Sequence, residues 1–144
     1  MTLFKLGERE PGSYDEPVTL AELAEQGEVR SVVLESADDV SALKPYLNRL
    51  ALIVLRFPIF RDGRGFTQAR ELREYLRYGG EIRADGHVLP DQADFLKRCG
   101  VDSVDLPEGS DTGPWERQIA RYAVSFQRSV LPEHVLDVGT RVAR

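Results

Sequence analysis

Apolar and polar positions along the chain switch between a period of two and a period near 3.6, and the switches mark the elements. Apolar, β-branched runs predict strands at VRSVVLES (29–36), LALIVLRF (50–57), EIRA (81–84) and VDSVDL (101–106). Between them lie helical stripes. Val40, Leu43 and Leu47 form the first, and Phe66, Ala69, Leu72 and Leu76 the second, which YGG (78–80) ends. PDQADFLKRCG starts with Pro90 at a first helical position and closes on Gly100. A last helix opens at Pro114 and runs to about Phe126, with Trp115, Ile119 and Tyr122 on one side. Ser36 and Asp39 resemble a capping box, and Pro45 is expected to break or kink the helix that follows. LALIVLRF is so continuously apolar that both of its faces should be covered. Ahead of these, TLFKL reads as a short strand, EREPGSYDEP as turns, and VTLAELAEQG as a short helix closed by Gly27.

Strands alternating with helices at this spacing imply βαβ units and an α/β fold. The expectation is a small parallel sheet of about four βα units, either an open sheet or half-barrel-like. Residues 1–28 form a lead-in segment, 29–127 a single α/β domain, and 128–144 a C-terminal tail that packs on the domain or on a second copy.

Composition narrows the class. A chain of 144 residues with 42% hydrophobic and 30% charged residues suits one folded domain. No stretch has the roughly 18 apolar residues of a membrane span, and the first residues lack a signal-peptide core, so a cytoplasmic protein is expected. One cysteine, Cys99, excludes an internal disulfide and an all-cysteine metal site within one chain; Cys99 itself reads as a buried apolar thiol. With only His87 and His134, no histidine-rich metal site is expected. A net charge of −5 argues against nucleic acid. The charge is uneven: residues 56–98 hold nine Lys/Arg against seven Asp/Glu, leaving ten basic and seventeen acidic residues elsewhere. A mildly positive middle favours a small anion or an acidic partner surface over a long polyanion.

Ligands of parallel α/β folds gather beyond the carboxyl ends of the strands. That rule assembles Arg56, Phe60, Arg61, Asp62 and Arg64 after one strand, Arg83, Asp85 and His87 after the next, and Asp91 and Gln92 in the following loop. Arg56, Arg61, Arg64 and Arg83 would make an anion pocket, since guanidinium groups pair bidentately with oxyanions. Gly63 and Gly65 would let the backbone approach a ligand at a helix start. Asp62 is either a general base or a residue that orients an arginine, and the Arg–Asp set equally fits a loop pinned to its own scaffold. His87 is the other acid–base candidate by residue type, or else a solvent-facing turn residue. RDGRG matches neither a P-loop nor a dinucleotide fingerprint, no Ser-His-Asp spacing is present, and no cofactor is expected.

FPIFRDGRGFTQARELR, GGEIRADGHVLPDQADFLKRCGVDSVDL and SFQ resemble a bacterial family usually encoded beside the sulfite reductase haemoprotein and sulfate-assimilation enzymes, and often labelled sulfite-reduction oxidoreductases. The resemblance spans about residues 50–128, and Val101 replaces a bulky aromatic common in the family. It implies a setting in assimilatory sulfite reduction and carries over no catalytic residues. A redox role would need a partner's cofactor. Two readings follow: an accessory protein that binds a sulfite reductase component through its Arg-rich loop, or a small α/β enzyme or oxyanion-binding protein with a strand-end pocket. A homodimer is also expected, on the strength of the tail.

Overall fold

The computed structural model describes residues 2–58 and 63–130, with side chains to residue 121. Six strands, β1 (Thr2–Lys5), β2 (Val18–Thr19), β3 (Ser31–Leu34), β4 (Leu52–Phe57), β5 (Glu81–Gly86) and β6 (Ser103–Leu106), form one open sheet. Its spatial order is β1-β6-β5-β4-β3-β2, with β1 antiparallel and all other pairs parallel. The α/β expectation holds in its open-sheet form: from β2 to β6 the spatial order follows the chain order, but the sheet does not close into a barrel.

Sequential order has a direct consequence for the two faces. Crossovers of one hand between successive neighbours all land on the same side. Alternate strand residues, Val32 and Leu34, Ile53, Leu55 and Phe57, Ile82 and Ala84, Val104 and Leu106, join one core cluster with the buried residues of the helical segments. Those segments are α1 (Leu20–Leu23), a 3₁₀ turn at Val40–Tyr46, α2 (Arg64–Arg70) continued by a π turn at Glu71–Tyr75, α3 (Ala93–Arg98) and α4 (Gly113–Val130). Val33, Leu52 and Val54 point the other way and form a separate cluster.

The other face is crossed by the chain itself. β1 and β2 are consecutive in sequence yet occupy opposite edges, so the segment between them must traverse the sheet. Leu6 donates its N–H to the Asp102 carbonyl at 2.9 Å, Gly12 and Tyr14 reach Glu81, and the Asp15 carbonyl accepts the Ser31 hydroxyl at 3.1 Å. We call residues 7–17 the strap. LALIVLRF is therefore covered on both faces as its composition implies, by helices on one and by the strap on the other.

Local chemistry explains most element ends. Asp39, not Ser36, caps the 3₁₀ turn: its side chain accepts the Ser41 amide at 2.9 Å, and Pro45 lies inside the turn, one residue before its end at Tyr46. The α2 segment ends before YGG, at Arg77, whose φ of 58° lets the Tyr78 amide return to the Leu72 carbonyl at 2.8 Å. Pro90 starts a 3₁₀ turn leading into α3, and the Gln92 side chain accepts the Leu89 amide at 2.8 Å. α4 runs to Val130, so the predicted helix end near Phe126 moves four residues on. The tail 131–144, with His134, lies outside the described residues.

Candidate functional site

Strand β5 carries the centre of the site because its sequence alternates charge with hydrocarbon. Ile82 and Ala84 enter the core; Glu81, Arg83 and Asp85 face the strap side. Register places Val33, Val54, Arg83 and Ser103 in one row across the sheet, and Arg56, Asp85 and Asp105 in the next row toward the strand ends.

At the inner end, Glu81 and Arg83 are buried, at 1% and 6% exposure. Arg83 Nη2 donates to Glu81 Oε2 at 2.8 Å and to the Gly12 carbonyl at 3.0 Å, and the Ser103 hydroxyl donates to the same carboxylate oxygen at 2.8 Å. The other Glu81 oxygen accepts the Gly12 amide at 2.9 Å and the Tyr14 hydroxyl at 3.2 Å. Burial alone would raise the Glu81 pKa, but the Gly12 amide, Arg83 and Ser103 outweigh it and hold the carboxyl below its ordinary range. Tyr14 moves up, through burial first and then the neighbouring Glu81 charge. Its ring lies 5.8 Å from the Arg83 guanidinium carbon.

Toward the strand ends, Arg56 bridges Glu35 at 3.0 Å and Asp85 at 3.4 Å. Asp105 stands beside Asp85 on the neighbouring strand, and its pKa is raised, by burial first and then by the Asp85 charge. Between these rows and the strap lies a cavity of about 400 Å³, walled by Val33, Leu52 and Val54, with Arg56, Asp85 and Asp105 on its floor.

The predicted set thus divides. Arg56 and Arg83 both face this cavity, each bonded to carboxylates. Arg64 opens α2, which packs on the opposite face. Gly63 precedes that helix with open space around it, whereas a Cβ on Gly65 would lie 2.5 Å from the Phe57 ring, so Gly65 serves close helix–strand packing. His87 is exposed and donates its amide to the Phe57 carbonyl at 2.7 Å; Asp91 is exposed, and Gln92 caps the turn before α3. Phe60, Arg61 and Asp62 lie outside the described residues.

Several other motif residues hold the scaffold. Arg73 donates to the Gly100, Tyr78 and Gly80 carbonyls at 2.8–3.0 Å and to Asp102 at 2.6 Å, tying the loops at the amino ends of β5 and β6. Gly86 and Gly100 have φ of 94° and 99°, and a Cβ would lie 2.4 Å from the Phe57 carbonyl oxygen and from Arg73 Cγ respectively.

The family model described as bacterial protein of unknown function, DUF934, matches residues 31–136, a span that covers β3 through the whole of α4. The chain belongs to the DUF934 family. No curated protein and no solved structure matches it. The DUF934 match contains the cavity floor from β4 to β6 but begins after the strap, so Tyr14 and its neighbours are supplied by the preceding segment. Among the described residues, no helix is long and apolar enough to cross a membrane, and no three His, Cys, Asp or Glu residues group as metal ligands.

Sequence reasoning missed Tyr14, Glu81 as the partner of Arg83, and Asp105. A signal was present: EIRAD alternates charged with apolar residues, and SVDL continues the pattern, the mark of strands with one polar face.

Proposed function

We propose that this DUF934 protein is an accessory factor of assimilatory sulfite reduction that docks a sulfite reductase component at the strand-end surface between α2 and α3. The observation that supports this best is an aromatic shelf. Phe95 is 48% exposed and Leu89 40% exposed, and the Phe95 ring lies 4.7 Å from that of Phe66, which packs on Phe57. A shelf stiffened by ring packing needs little ordering on association, and aromatic residues anchor protein interfaces. Arg64 lies two residues before Phe66 on α2, and Arg61 falls in the sequence between β4 and α2. The sulfite-reduction setting is what the sequence resemblance at FRDGRGF and the following helix implies.

The oxyanion-binding reading draws less support from Arg56 and Arg83, whose hydrogen bonds go to Glu35, Asp85 and Glu81. The test is direct binding of purified sulfite reductase haemoprotein to the immobilised full chain, with the double variant Leu89→Ser, Phe95→Ser beside it. Binding that falls by about tenfold or more in the variant is expected. No binding to wild type across a range of salt concentrations overturns the proposal.

A further inference from the structure

We propose that the cavity between the strap and the open sheet face is a binding site for a small organic cation, an alkylammonium or alkylguanidinium group on a short aliphatic body. This site is on the opposite face from the docking shelf and does not rest on that reading.

Volume comes first. About 400 Å³ lies within the range of small-molecule sites and far exceeds one water. The wall of Val33, Leu52 and Val54 offers hydrocarbon, which a hydrated inorganic ion does not use.

Charge decides the sign of the ligand. Asp15, Glu16, Asp85 and Asp105 line the cavity against two cations. Both cations are engaged: Arg83 with Glu81, and Arg56 with Glu35 and Asp85. An anion would have to displace those carboxylates, whereas a cation meets Asp105 beside Asp85 directly. Burial first, and then the Asp85 charge, push the Asp105 pKa up in spite of the opposing effect of Arg83, and a cation bound there would offset the second of these.

The acids do not suit a metal: no three potential ligands cluster among the described residues. A cation with diffuse charge and an apolar body fits a site with acids on the floor and aliphatic side chains on the wall. Tyr14, whose ring already lies near the Arg83 guanidinium, adds a π-face at the strap.

Agmatine, which carries both groups on four methylenes, and sodium sulfite are the probes, titrated separately into the full chain by calorimetry and amide NMR. Agmatine is expected to bind, to shift the amides of Val54, Arg83 and Asp105, and to lose about tenfold or more in affinity in Asp105→Asn. Sulfite should leave those amides unmoved. No agmatine binding at about 10 mM overturns the inference, as do sulfite binding that shifts these same amides, agmatine shifts confined elsewhere, or unchanged affinity in a folded Asp105→Asn.

Discussion

Glu81 and Arg83 stand two residues apart on the same face of β5, joined at 2.8 Å and almost sealed from water, with the strap residues Gly12 and Tyr14 bonded to the pair from above. Removing one partner leaves the other buried and uncompensated. Glu81→Gln is expected to cost about 3–5 kcal/mol in urea melts at neutral pH.

The same carboxyl sets an acid limit. Its folded pKa lies below the ordinary 4.5, so the unfolded chain binds the proton more readily. Stability from Glu81 is complete above about pH 4.5 and is lost as pH falls through the lower folded value. Asp105 has the opposite sign: raised above 3.8 in the fold, it favours the native state in acid and ceases to do so as pH rises through its folded value. Urea melts from about pH 3 to 7 should therefore show Glu81→Gln with a flatter acid slope than wild type, and Asp105→Asn gaining on wild type as pH rises.

Gly63 and Gly65 look equivalent in DGRG but have different surroundings. Gly63→Ala has open space at the new Cβ and should change stability by less than about 0.5 kcal/mol, while Gly65→Ala forces the Phe57 ring aside at about 1–3 kcal/mol. Thermal melts of the two variants decide it. Equal losses would mean that Gly65 is not fixed by this packing.

The two glycines show how far the residues could be read in advance. Strand and helix positions followed from local pattern, because the continuous apolar run of LIVLRF marks a strand buried on both faces and the helical stripes repeat near 3.6 whatever their neighbours. The strap was not legible. EREPGSYDEP has no period, and its path is set by β1 pairing with β6 on the far edge, a contact between positions that no local pattern links. For the same reason charge type alone groups Arg83 with Arg64, whereas two of its partners, Ser103 and Gly12, meet it only after the sheet assembles.

Cys99 is 3% exposed and burial raises its thiol pKa. Both effects suppress thiolate attack, so a thiol-reactive dye should label the native chain slowly and the urea-unfolded chain at the rate of a free cysteine. Fast native labelling would contradict the packing beside α3.

Strand β1 binds β6 through Thr2–Leu106 to Lys5–Ser103, about a hundred residues later. Closing so long a loop is slow compared with pairing successive βα neighbours. The parallel strands can therefore assemble while the first segment is still unattached, with β6 a bare edge and the acid-rich face uncovered. The last event of folding would then seal the sheet edge and roof the cavity in a single docking step.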